Sequence, residues 1–190
     1  MSTVLLLHSA LGLRPAVGDF ADALRGAGHE VITPDFYDGQ VFDDTAGGIG
    51  YRDQVGGREL FERVRPTLAD LPPDTVLAGF SLGAAFAQRL AAERPGAAAV
   101  ILLHYAAAPR GRWPGQPVQV HRYADDSWIA PADVAALGRA VTDSGASFAD
   151  HVLPGSGHLF TDPATPDGDA AATARTIERI TTLLASDGGG

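Results

Sequence analysis

The feature that most constrains this chain is a set of short, continuously apolar runs, each followed at once by a loop or a helical segment. Val4-Leu5-Leu6-Leu7, Thr75-Val76-Leu77-Ala78 and Ala98 to Leu103 have no polar alternation. A strand with one wetted face alternates, so runs like these fit strands buried on both faces, the situation of parallel sheets covered by helices. Further strands are expected at Glu30–Thr33, Val118–His121 and Ser147–Leu153. Between them lie segments of helical spacing: Val17–Gly26, Val55–Leu68, Leu82–Glu93, Pro131–Val141 and Ala170–Leu184. The Gly- and Asp-rich residues 34–50 read as a long loop. Strand and helix thus alternate along the chain, which calls for right-handed crossovers, a mostly parallel six-stranded sheet and helices on both faces. Ligand chemistry in such a sheet belongs at the carboxyl ends of the strands.

Composition narrows the chemistry. A chain of 190 residues, 45% of them apolar, can bury a sizeable core and is read as a single domain over residues 1–185 with a tail at 186–190. The net charge of −9 opposes attraction to nucleic acid or to anionic membranes, so neither is expected as a partner. Cysteine is absent, which removes disulfides, thiolate metal sites and a thiol nucleophile. The apolar N-terminal stretch lacks a basic leader and is too short to span a bilayer, so a cytoplasmic location is expected.

Gly79-Phe80-Ser81-Leu82-Gly83 stands between an expected strand and an expected helix. The spacing G-x-S-x-G is that of a nucleophile elbow, a turn so tight that side chains two residues on either side of the serine would clash. Ser81 is therefore the candidate nucleophile. It needs a base near neutral pH, and among six histidines His158 stands alone in the glycine-bearing loop after the last strand, Pro154-Gly155-Ser156-Gly157-His158. The order nucleophile, acid, base along the chain puts the acid in the loop after the preceding strand, where either Asp125 or Asp126 could reach. Asp126 sits deeper in that loop and is preferred. The oxyanion donors would be the N–H groups of Leu82, after the nucleophile, and of Ala10, in the loop after the first strand. His8 is read as a hydrogen-bonding prop for that loop.

Together with His8-Ser9-Ala10-Leu11-Gly12-Leu13, Thr33-Pro34-Asp35-Phe36-Tyr37, Ala124-Asp125-Asp126 and Gly157-His158-Leu159-Phe160, these segments make the chain resemble the dienelactone hydrolase family, over nearly its whole length. The resemblance implies a minimal α/β-hydrolase fold without a lid domain, a triad of Ser81, Asp126 and His158, and a cofactor- and metal-free hydrolase of small esters or lactones. Many members use cysteine as nucleophile; Ser81 shifts the expectation toward a serine esterase acting through an acyl-enzyme. The connection His104 to Gln116 is short, which favours an open, shallow pocket. Tyr105, Trp113, Trp128 and Phe160 are candidates to line it, and a homodimer is left open. Arg14, Arg110, Arg112 and Arg122 have the chemistry to grip a substrate carboxylate, but surface arginines are common and none is assigned. The alternative reading is a non-catalytic binding module on the same fold.

Overall fold

A computed structural model describes residues 1–186. Its six strands are β1 (Thr3–Leu7), β2 (Glu30–Ile32), β3 (Val76–Phe80), β4 (Val100–Leu103), β5 (Val118–Asp125) and β6 (Phe148–Ser156). They form one parallel sheet in the order β2-β1-β3-β4-β5-β6. The helices are α1 (Pro15–Gly26), α2 (Thr45–Val55), α3 (Gly57–Ala69), α4 (Leu82–Glu93), α5 (Pro131–Asp143) and α6 (Ala170–Ser186).

Side chains of a strand alternate between its faces, and in the central strands β1, β3 and β4 both sets are apolar. Leu5, Leu7, Leu77, Val100, Leu102 and Val120 pack with α3, α4 and α5 through residues such as Leu60, Phe61, Leu90 and Leu137. Val4, Leu6, Val76, Ala78, Ile101 and Leu103 pack on the other face against Phe20 and Leu24 of α1 and Ile180 and Leu184 of α6. Each such leucine, removed fully from water, contributes about 2 kcal/mol before the entropy of ordering is subtracted. The two-faced burial explains why the strand runs lack polar alternation.

Strand order reverses around β1: its next strand in sequence lies to one side and β3 to the other. The loops leaving β1 and β3 therefore part above the sheet, which opens a crevice at their carboxyl ends.

Three expectations are corrected. Residues 45–50 are not loop but the first half of α2, whose start is capped by Asp44 accepting from the Gly47 N–H at 2.7 Å. The glycines that masked it have a packing reason: a Cβ at Gly48 would overlap the carbonyl group of Ala10. Gly56, at φ 93°, then ends α2 and separates it from α3, so the helix expected from Val55 begins at Gly57. Second, β5 and β6 run on past His121 and Leu153, to Asp125 and Ser156, with an irregularity between Tyr123 and Asp125. Third, α6 reaches Ser186, and residues 187–190 of the expected tail lie outside the described residues. No helix among the described residues is long and apolar enough to cross a membrane.

Candidate active site

The turn from β3 into α4 puts Ser81 at φ 50° and ψ −106°, a left-handed conformation that few non-glycine residues adopt. Its backbone N–H donates to the Leu103 carbonyl at 2.8 Å, which fixes the turn to the neighbouring strand. Both glycines of the motif are sterically required. A Cβ at Gly79 would run into the backbone of Gly83, and one at Gly83 would overlap the carbonyl oxygens of Leu7 and His8. Strain of this kind persists only where the surroundings over-determine it, and here β1, β4 and α4 all close on the turn.

The Ser81 Oγ lies 2.8 Å from His158 Nε2, although 77 residues separate the two in the chain. On the far side of the ring, His158 Nδ1 is 2.8 Å from Asp126 Oδ2 and 3.1 Å from Oδ1. A carboxylate can only accept, so Nδ1 carries the proton and Nε2 presents its lone pair to the serine hydroxyl. Asp126 and His158 are both buried, whereas Ser81 is partly open to solvent. Asp126 also accepts from the Trp128 N–H at 2.9 Å. Asp125, the other candidate, is the last residue of β5, pairs with Ser156 and is exposed.

His158 is held from behind by contacts that no spacing rule suggests. Its backbone N–H donates to Asp167 at 2.8 Å, and the Asp167 side chain lies where Gly157 would carry a Cβ. His104, fully buried at the end of β4 with φ 60°, bonds Thr161 Oγ1 at 2.8 Å and sets its ring edge-on to His158, centroids 5.9 Å apart. Burial keeps the His104 pKa well below the usual histidine value, so its ring is neutral. Asp167 lies in the run Thr161-Asp162-Pro163-Ala164-Thr165-Pro166-Asp167, where several acids look alike.

In the loop after β1, Ser9 Oγ accepts from the Leu11 N–H and Ser9 O from the Gly12 N–H, both at 3.1 Å. The Ala10 N–H makes no hydrogen bond among the described residues, so it is available as a donor. His8 stacks on Phe36 at 3.6 Å and bonds the Ser9 carbonyl at 2.7 Å through Nδ1. Burial lowers its pKa to about 4, although Asp35 pulls the other way. Arg14, at the N-cap of α1, pairs with Asp162 at 2.9 Å and donates to the Phe42 carbonyl at 2.6 Å.

The four aromatic candidates separate. Trp128 is 58% exposed and stacks over the His158 ring with centroids 5.4 Å apart, so it forms an open wall of the site. Tyr105 is half-buried where the chain leaves β4. Trp113 is buried and spends its indole N–H on the Gln116 carbonyl at 2.8 Å. Phe160 does not reach a surface at all: it is fully buried between His104 and Tyr123. Of the arginines considered, Arg122 forks onto Asp150 and Arg14 is taken by Asp162, while Arg110 and Arg112 stay exposed. Among the described residues there is no cluster of three or more side chains suited to a metal ion.

The model of the dienelactone hydrolase family matches residues 1–187. The chain belongs to that family. Solved structures agree on the architecture. A dienelactone hydrolase-like promiscuous phosphotriesterase from metagenomic libraries superposes with a TM-score of 0.81 at 23% identity, covering 98% of this chain and 86% of the other. A thermophilic esterase from Thermogutta terrifontis gives 0.68 at 17% identity, over 97% and 81% of the two chains. A thioesterase domain of the curacin biosynthetic pathway gives 0.62 at 15% identity, over 93% and 90%. No curated protein sequence matches it. Membership makes this dienelactone hydrolase family protein an α/β-type hydrolase.

Proposed function

We propose that the protein is a serine hydrolase that cleaves a small carboxylic ester or lactone through an acyl-enzyme, with Ser81, His158 and Asp126 as its triad. The observation that carries this reading is the unbroken path from the Ser81 hydroxyl through both ring nitrogens of His158 to the buried Asp126 carboxylate, each link 2.8 Å long. As the Ser81 oxygen attacks the acyl carbon, its proton passes to His158 Nε2, and Asp126 holds the imidazolium that forms without itself taking the proton. The carbonyl π electrons move to oxygen. That oxyanion is received by the Leu82 N–H, at the start of α4 where the helix dipole adds to the attraction, and by the Ala10 N–H. Collapse expels the alkoxide, which takes the proton from His158, or, for a lactone, opens the ring. Water then repeats the sequence on the acyl-enzyme.

The test is labelling by a fluorophosphonate together with hydrolysis of short p-nitrophenyl esters. Wild type is expected to do both and Ser81→Ala neither, with turnover down by about 10⁴-fold or more. Identical behaviour of the two proteins would overturn the assignment.

A further inference from the structure

A second concavity lies along α4. It is a groove of about 710 Å³ between that helix and the connection from β4 to β5. One end is lined by Ala85, one helical turn past Ser81, and by Tyr105, the residue after His104; the other reaches Ala92 and Trp113. At 1.5 Å per residue, Arg89 stands about 12 Å along the axis from the nucleophile. The floor is apolar, from Ala85, Phe86, Ala92 and Trp113, while Arg89, Arg110 and Arg112 line the same groove.

The charge there runs against the rest of the molecule. All 14 basic residues of this acidic chain are arginines. Arg14, Arg25, Arg52, Arg63, Arg65 and Arg122 each pair with a carboxylate. Eight others have no such partner among the described residues, and three of these, Arg89, Arg110 and Arg112, gather at this groove. Arg89 lies with its guanidinium carbon 3.7 Å from the centre of the Phe61 ring. Stacking occupies only the faces of the guanidinium plane and leaves its in-plane N–H fork for an anion. The one acid at the groove, Asp133, accepts from the Ala108 N–H at 3.3 Å and lies at the first turn of α5.

We propose that this groove is a substrate subsite for a linear acyl chain ending in a carboxylate, its methylenes on the apolar floor and its far end held by Arg89, Arg110 and Arg112. The substrate class is then a monoester of a dicarboxylic acid with the scissile carbonyl at Ser81. The assignment rests on the hydrolase reading above for the position of that carbonyl.

Two measurements test it separately from that reading. In the first, p-nitrophenyl monoesters of adipic, suberic and sebacic acids are compared with neutral p-nitrophenyl alkanoates of equal chain length. The kcat/KM ratio of charged to neutral substrate is expected to reach about tenfold for the longer acids, the scale of a charge-assisted hydrogen bond, and to fall with added salt. It is expected to collapse toward unity in Arg110→Ala/Arg112→Ala and to drop in Arg89→Gln, whereas Arg139→Ala, on α5 outside the groove, keeps it. In the second, calorimetry of sebacate with the Ser81→Ala protein is expected to detect binding that the paired arginine variant loses. A ratio near unity for all lengths in wild type, with no sebacate binding, overturns the subsite while neutral-ester turnover leaves the hydrolase reading standing. Sebacate binding without any turnover or labelling overturns the hydrolase reading and leaves the groove as an anion site.

Discussion

Asp125 and Asp126 are adjacent in sequence and opposite in circumstance. The first ends a strand in water; the second is buried with both oxygens near His158 Nδ1. Strand pairing ends at Asp125 after an irregularity following Tyr123, whereas Asp126 enters the next turn, where it also accepts from the Trp128 N–H. The sequence accordingly leaves two candidates, whereas Ser81 is marked by flanking glycines and His158 by its isolation in a loop. With the triad as proposed, Asp126→Asn is expected to cut kcat by about 10⁴-fold by favouring the wrong tautomer of His158. Asp125→Asn is expected to change it by no more than about threefold, as an exposed carboxylate outside hydrogen-bond reach should. Steady-state kinetics on the two variants decide the matter, and a larger loss in the Asp125 variant would reverse the assignment.

At the scale of elements, the apolar strands and α4 were legible because burial on both faces leaves a composition that little else explains. Helix α2 was not. Its glycines, Gly47, Gly48 and Gly50, argue against a helix by propensity, but Gly48 is demanded by the approach of the Ala10 carbonyl. Tertiary contact overrode local preference, and nothing within residues 45–55 announces the partner. The same holds for the pair Arg14–Asp162, which joins the start of α1, just after the loop bearing Ala10, to the loop bearing His158. Both side chains are largely buried, at 11% and 13% exposure, so removing one strands the other's charge. Arg14→Ala is expected to destabilise the fold by about 3 kcal/mol. It should also lower kcat for p-nitrophenyl esters by about tenfold, since the base and an oxyanion donor would lose their common anchor. Asp162→Asn should show much of the same effect and the double variant little more, because the pair acts as a unit. Denaturant titration with parallel kinetics reads both quantities. A fall in stability with kcat unchanged would make the pair a brace for the fold alone.

For the whole molecule, the buried histidines set how stability responds to acid. His121 lies fully buried under α6, its Nε2 bonded to Gln119 at 3.1 Å and its ring 4.7 Å from that of His151 on β6. Burial, joined by the neighbouring His151 and Arg179, brings its pKa down to about 3. Burial likewise pushes the pKa of His8, just after β1, down to about 4. In the unfolded chain both would take up a proton near pH 6.5. Below that pH the unfolded state therefore binds more protons than the folded one, and stability is lost from about pH 6.5 down toward each folded value. Between pH 8 and pH 5 the loss is about 2 kcal/mol for each of these two groups. His121→Gln keeps a polar side chain at the position and removes its proton uptake. Its urea-unfolding free energy is expected to fall by about 2 kcal/mol less than that of wild type over this interval, whatever the starting difference at pH 8. Parallel curves for the two proteins would mean that His121 is reached by water in the folded state, and that the β5–β6 edge under α6 is looser than its packing implies.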